Sequence, residues 1–372
     1  MRTLSVVARR GSCLAFRMPP VSIRRPEPCT YRWRTMRARR HLHLPAVLGP
    51  PLMLTGLFVA LWTWKCMMLV LFQNTIIYNP FMPPNSRSMR IEDFAKECRG
   101  IGWREERIRS LDGTEIALCI SDEVSGSQAD PNRPPAYVMY FQGNASSLPP
   151  RLPDLSAVLH RLRDIDPKTR YIVVCLSYRG YWTSHDRPSE KGINMDAEAG
   201  IRWISNHSQR VGSVDESKPP ALILYGQSIG CGFATKLAAT TKAMKVDGLV
   251  LETPFTSTRD MLKALYPQKW LPYQYLWPFL RNFMDSWTNL GIIRERASRT
   301  PPPGIYMIEA GKDELVPSEL GQRLFERCQD LGLPVERSKI RSALHNEVIV
   351  RPQGKQAIAQ SIASAVGRAR QT

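Results

Sequence analysis

The sequence predicts an α/β fold built on a mostly parallel, eight-stranded sheet, and three observations carry that expectation. Short apolar runs alternate with helical patterns from residue 136 to residue 368. One of these runs, Ala221-Leu222-Ile223-Leu224-Tyr225, leads through Gly226-Gln227-Ser228-Ile229-Gly230 into the helix-like Cys231–Ala239. A single long apolar stretch, Leu52–Phe72, stands apart from the alternation near the N-terminus. Strands alternating with helices imply a parallel sheet covered on both faces.

Taken in order, residues 1–45 form a basic leader. Eleven arginines and one acid, Glu27, lie in residues 1–40, an excess of ten out of the formal +18 of the whole chain. The 21 residues of Leu52–Phe72 would rise about 31 Å as a helix, close to the thickness of a bilayer's hydrocarbon core. Lys65 interrupts the stretch, at about 2.5–3.5 kcal/mol if held at the membrane centre. The surrounding apolar residues outweigh that, so residues 46–74 are expected as a single-pass signal anchor, with Pro50-Pro51 breaking it from Ala46-Val47-Leu48. A buried soluble helix is the alternative. The leader fits the cytosolic flank of such an anchor or a mitochondrial presequence, and Met36 and Met53 are alternative starts. The endoplasmic reticulum or plasma membrane is favoured, with a mitochondrial membrane as the alternative.

Residues 75–102, including Tyr78–Pro84, read as an extended linker, and a catalytic domain is expected over 103–370. Trp103–Ser110 and Glu115–Ser121 flank Asp112-Gly113, a hairpin signal, and 125–135 is a polar loop. Buried strands follow at Ala136–Phe141, Tyr171–Leu176, Ala221–Tyr225, Gly248–Leu251 and Gly304–Ile308. Helices fall at Leu152–Arg163, Asn194–Asn206, Ile229–Lys242, Ser318–Asp330 and Gln353–Arg368. Residues 257–290 break the rhythm with Tyr266, Trp270, Tyr273, Tyr275, Trp277, Phe279, Phe283 and Trp287. They are expected as a small helical cap, packed on the body, or forming a lid that shapes an acyl pocket or touches lipid, or both.

A serine flanked by glycines at a strand-to-helix corner is a nucleophile elbow, the signature of the α/β-hydrolase fold. The glycines leave room for the sharp turn, and the helix start beyond Ser228 offers N–H groups to an oxyanion. A serine hydroxyl needs an imidazole base oriented by a carboxylate, and in this fold the chain order is Ser, acid, His. Of six histidines, only His345 lies downstream of Ser228, in a loop after the strand-like Val335–Ile340. His185 is a weak alternative. Asp313, in a Gly-containing loop after Gly304–Ile308, is the expected acid, with Glu314 and Glu252 as alternatives. Oxyanion donors are expected from the N–H of Ile229 and from Gln142-Gly143-Asn144-Ala145, where Asn144 is preferred and Ala145 next.

These residues resemble a known family. Gln142–Ala145, Tyr178-Arg179-Gly180-Tyr181, Pro188–Gly192, Asp196-Ala197, Gly226–Gly230, Glu252–Thr256, Gly311-Lys312-Asp313 with Val316-Pro317, and His345-Asn346 resemble the bud-emergence family of membrane-anchored α/β hydrolases. The resemblance runs from about Ile76 to Arg368 and extends to monoacylglycerol and lysophospholipid lipases, palmitoyl-protein thioesterases and the serine aminopeptidase-like branch. It implies a fungal serine hydrolase on an internal membrane, acting on a lipid-like ester or thioester. Two positions depart from the family: Gln142 stands where histidine is usual, and Trp182-Thr183-Ser184 stands where Gly-x-Ser is usual. Trp182 is expected to narrow access to the site or change substrate preference, and Arg179 to pair with Glu190 or to stay solvated.

Outside the leader the charge excess is only eight and forms no dense stripe, so no nucleic-acid partner is expected. Eight scattered cysteines without a C-x-x-C pair indicate neither a zinc site nor a disulfide framework, and no cofactor or metal is expected. Cys119, Cys175 and Cys231 read as small core residues. The expected activity is hydrolysis of acyl esters or thioesters by Ser228, His345 and Asp313; a catalytically silent scaffold acting in membrane or polarity processes is the alternative. Acyl length and oligomeric state are left open by the sequence.

Overall fold

The computed structural model describes residues 48–130, 134–210, 219–297 and 300–371; the basic leader, with Cys13 and Cys29, lies outside them. The first described element is α1, Gly49–Leu71, none of whose residues is buried. It is long and apolar enough to cross a membrane. α1 begins at Gly49 and leaves Leu48 outside it, in line with the break expected at Pro50-Pro51; Ala46 and Val47 lie outside the described residues. The two prolines are not themselves a gap in the helix. They occupy its first turn, where no intrahelical N–H is required.

Leu57–Thr372 forms one compact unit. Residues read as an extended linker depart from that reading at once. Gln73–Tyr78 form α2, and Tyr78, Cys98 and Ile101 are buried. Tyr78 explains the difference: its ring stacks on Phe233 at 6.5 Å, and its hydroxyl donates to Asn282 Oδ1 at 2.9 Å.

The sheet is built from β1 (Trp103–Arg109), β2 (Glu115–Ser121), β3 (Val124–Ser125), β4 (Ala136–Phe141), β5 (Arg170–Leu176), β6 (Leu222–Gln227), β7 (Gly248–Glu252), β8 (Gly304–Ala310) and β9 (Val335–Ile340). Eight strands follow the order β1-β2-β5-β4-β6-β7-β8-β9, and the two-residue β3 adds to β5 beside them. β1 and β2 form the antiparallel hairpin, and β4 through β9 run parallel. The ninth strand escapes the sequence because Val124↔Tyr171 and Ser125↔Arg170 are too few residues to show a period.

Burial follows position in the sheet. Every residue of β4, β6, β7 and β8 is buried, whereas β1 at the edge alternates. Alternate strand side chains feed two cores, one on each face. At about 1.5–3 kcal/mol per buried large apolar side chain, these central strands supply much of the drive to fold. Helices α3 (Leu152–Ile165) and α9 (Pro352–Ala369) pack against each other on one face; α4 (Glu190–Arg210) and α5 (Ile229–Thr240) lie together in the other core. α8 (Ser318–Asp330) joins β8 to β9.

Between β7 and β8 lies the cap: α6 (Thr258–Leu265), two short 3-10 turns at Pro272–Tyr275 and Trp277–Phe279, and α7 (Ser286–Arg296). Ser257 caps α6 by accepting from the Asp260 N–H, and Asp285 caps α7 by accepting from Thr288. All strand-to-helix corners that carry the candidate site residues lie at the C-terminal ends of the parallel strands, where this fold class builds its sites.

Candidate active site

Ser228 sits between the end of β6 and the start of α5 with φ 53° and ψ −117°. Few L-residues with a side chain adopt such a backbone; a strained, over-determined turn holds this one. The surroundings account for the glycines. A Cβ on Gly230 would lie 2.2 Å from the Phe141 carbonyl oxygen, and one on Gly226 would lie 2.6 Å from backbone atoms of Gly230. The Ser228 N–H donates to the Glu252 carbonyl at 2.8 Å, which ties the corner to the next strand.

His345 reaches this serine from the loop after β9. Its Nε2 lies 2.9 Å from Ser228 Oγ, and its Nδ1 lies 2.9 and 3.0 Å from the two carboxylate oxygens of Asp313. A carboxylate can only accept, so Nδ1 carries the proton on that side and Nε2 is left to accept from the serine hydroxyl. Ser228 and His345 are 7 and 2 % exposed, a setting in which charge is poorly screened by water.

Asp313 is held in turn. Its Oδ1 accepts from the Leu315 and Val316 N–H groups at 3.0 and 2.8 Å, an Asx turn that fixes the carboxylate before α8 begins. Glu314 does not reach the ring; its Oε2 accepts from the His345 backbone N–H at 2.9 Å. Glu252, the other alternative acid, is buried between the Tyr225 hydroxyl and the Ile349 N–H. Burial pushes its carboxyl above the ordinary range. His185 stays in the β5–α4 loop, its N–H bonded to the Glu115 carbonyl.

The turn after β4 faces the serine. Asn144 and Ala145 line the same cavity as Ser228, Ile229 and His345. The Ala145 N–H is directed away from it, donating to the Tyr78 carbonyl at 3.3 Å. That carbonyl also accepts from the Tyr181 hydroxyl. Ile229 opens α5, so its N–H belongs to the positive end of a 12-residue helix. Gln142 is fully buried: its carbonyl accepts from the Tyr178 hydroxyl at 2.7 Å, while its side-chain amide has no partner among the described residues. The link from this residue to the turn therefore runs through its backbone.

Two expectations need correction. Trp182 does not narrow the site: it is buried in the opposite core with its indole N–H donated to the Met89 carbonyl at 2.8 Å. Arg179 does not pair with Glu190. It grips Asp196 at 2.7 Å and Asp112 at 2.8 Å, and Asp186 at 3.3 Å, because Asp196 is fully buried and needs a charged partner. The Arg179 guanidinium holds the Asp112 carboxyl well below the usual range. Glu190 instead accepts from the backbone N–H groups of Phe283 and Met284 and so clamps the cap just before α7.

The cavity over the serine has a volume of about 410 Å³. Its walls are apolar: Leu69, Val70, Ile76 and Ile77 on one side, and Met261, Leu262, Leu265, Phe279 and Met284 of the cap on another. The part played by residues 69–77 was not anticipated in the sequence; the pair Ile76-Ile77 soon after the long apolar stretch was the available signal. No group of three or more metal-ligating side chains occurs among the described residues.

No protein-family model matches the chain. It is 27 % identical over 260 residues to protein bem46 of Schizosaccharomyces pombe, covering 69 % of this chain and 75 % of that protein. It is 31 % identical over 230 residues to lysophosphatidylserine lipase ABHD12 of Danio rerio, covering 60 % of this chain and 52 % of that protein, so it spans about half the length of that relative. Among solved structures, esterase Pf2001 of Pyrococcus furiosus superposes with a TM-score of 0.50 at 17 % identity over 74 % of this chain and 93 % of that one, a likeness of fold.

Proposed function

We propose that this chain, which is similar to protein bem46 and to ABHD12, is a membrane-anchored serine hydrolase of the bud-emergence type, acting on long-chain acyl esters or thioesters. The observation that carries the reading is the unbroken hydrogen-bonded series Ser228–His345–Asp313 at the floor of an apolar cavity.

In this reading His345 Nε2 takes the proton as Ser228 Oγ attacks the acyl carbon, and the carbon–oxygen double bond opens to an oxyanion. The N–H of Ile229 and a donor from the Asn144 turn stabilise that charge; one such donor is worth about 2.7–4 kcal/mol in the transition state. Collapse breaks the bond to the leaving alcohol or thiol, which takes the proton from His345. Water, deprotonated by the same ring, then releases the fatty acid and restores Ser228. Asp313 holds the ring in the tautomer that permits both transfers. No step calls on a metal or cofactor.

Apolar walls of this size suit a single acyl chain better than a charged head group. The name of the ABHD12 relative makes lysophospholipid one substrate to test beside monoacylglycerol and acyl-thioester. The helix α1 supports a single-pass anchor, with the arginine-rich leader on the cytosolic side by the positive-inside rule and the endoplasmic reticulum or plasma membrane favoured over a mitochondrial membrane. Protease protection of the body in sealed organelles tests that placement.

A fluorophosphonate probe tests the chemistry. Full-length protein in detergent is expected to label, and Ser228→Ala and His345→Ala to lose the label. Asp313→Asn is expected to retain fold and lower kcat by about 10⁴. Folded protein that takes no label, or a Ser228→Ala variant that keeps turnover, refutes the assignment.

A further inference from the structure

The cap is bonded to α1 along the helix's C-terminal end. Arg281 donates to the last carbonyls, Val70 and Leu71, at 3.0 and 3.1 Å, and its N–H donates to Gln73 Oε1 at 2.7 Å. Deeper along the helix, the Lys65 ammonium stands 4.5 Å from the Tyr273 ring centroid and 5.6 Å from that of Tyr266. Deeper still, Trp62 meets Trp270 at 6.4 Å. Trp62 precedes Leu71 by nine residues, so the cap runs beside α1 for about 13 Å of its axis.

That reach decides where the cap lies. Were the cap kept wholly in water, the helix left to cross the membrane would be Gly49–Leu61, which rises about 20 Å against a hydrocarbon core of about 30 Å. The span is sufficient only if the cap enters the bilayer with it. The cap's surface fits such a place: Trp270, Phe279 and Leu265 are 68, 60 and 60 % exposed, and residues 257–290 also carry four cations and two acids. Aromatic and cationic side chains of this kind settle at the boundary between acyl chains and anionic head groups. Lys65, costly in hydrocarbon, finds the faces of two cap tyrosines as partners.

We propose that the cap and the C-terminal part of α1 together sit in one leaflet, and that the cavity between them takes a single-chain acyl amphiphile directly from that leaflet. The catalytic use of that cavity rests on the serine-hydrolase reading; the immersion of the cap does not. Val70 of α1 and Leu265 of the cap both line the cavity, so lipid lies against its walls rather than across an aqueous gap. The anchor is then part of the substrate site as well as a tether.

The test uses the full-length protein in phosphatidylcholine vesicles containing a minority of phosphatidylserine. A Trp270→Cys variant, in a background with Cys13, Cys29 and Cys66 changed to serine, carries a nitrobenzoxadiazole probe; the same probe at Arg163→Cys on α3 serves as comparison. The probe at 270 is expected to be quenched severalfold more by acyl-brominated lipid than the probe at 163. A Trp270→Glu, Trp277→Glu double variant is expected to lose at least about tenfold of its turnover of vesicle-borne monoacylglycerol, while labelling of Ser228 by a soluble fluorophosphonate stays within twofold. Equal quenching at both positions, or full vesicle turnover in the double variant, overturns the proposal. Strong quenching at 270 in a protein whose Ser228 does not label supports the immersion and defeats only the hydrolase reading.

Discussion

Adding one methyl group at Gly230 should separate the two halves of the proposed oxyanion site. The new Cβ would stand 2.2 Å from the Phe141 carbonyl oxygen and 2.9 Å from that of Gln142, both backbone atoms that cannot rotate away. Ordinary contact begins near 3.4 Å, so the start of α5 and the end of β4 must part by about 1.2 Å. Overpacking of this kind costs about 1–3 kcal/mol of stability. The kinetic effect is larger in proportion, because Ile229 rides on α5 and the Asn144 turn follows β4. A displacement of about 1 Å between reacting groups costs about 100-fold, or about 2.7 kcal/mol of transition-state stabilisation. Gly230→Ala is therefore expected to lower kcat/KM for p-nitrophenyl butyrate about 100-fold. The comparison is Gly367→Ala in α9, where nothing lies within 4 Å of the new Cβ. There the same change should leave turnover intact and stabilise by about 0.5–1 kcal/mol. A Gly230→Ala enzyme within threefold of the parent in kcat/KM would refute the claim that this contact sets the spacing.

Two further outcomes follow from buried charge. Arg179→Met leaves Asp196 buried and unpaired and should cost about 3–5 kcal/mol, read by thermal unfolding in detergent. It should also abolish the acid sensitivity that Asp112 confers: a carboxyl held below its ordinary 3.8 gives up its stabilisation as pH falls through the window beneath that value. Glu252 has the opposite sign. Its carboxyl is held above the ordinary 4.5 by burial, so the folded state keeps the proton longer and stability falls as pH rises from 4.5 through the folded value. Glu252→Gln should flatten that part of the stability profile, and an unchanged slope in urea titrations across this range would contradict the assignment.

The parallel strands were legible because burial on both faces writes an uninterrupted apolar run, as in Ala221–Tyr225 and Gly248–Leu251. The residues that meet over Ser228 were legible for a different reason: chain order leaves a single histidine after the elbow and a single glycine-containing loop for its carboxylate partner. What escaped depends on partners far along the chain. α2 has six residues, too few for propensity to declare it, and its place comes from Asn282 and Phe233. Arg179 had several acids within reach of its sequence, and only burial of Asp196 selects among them. Trp182 stands close in the sequence to residues near the site, yet its ring packs in the opposite core with its indole bonded to the Met89 carbonyl, a partner 93 residues away.

The shared carbonyl of Tyr78 has a practical side. Anyone shortening this chain to obtain a soluble piece will be tempted to begin after Phe72 or after Pro84, where the hydrophobic stretch or the proline-rich segment ends. The first cut strips Leu69 and Val70 from the lining of the cavity; the second also takes away the acceptor to which the Ala145 N–H is bonded. Truncated material would then report the substrate preference of an altered pocket, and weak turnover from it would be no measure of the intact protein.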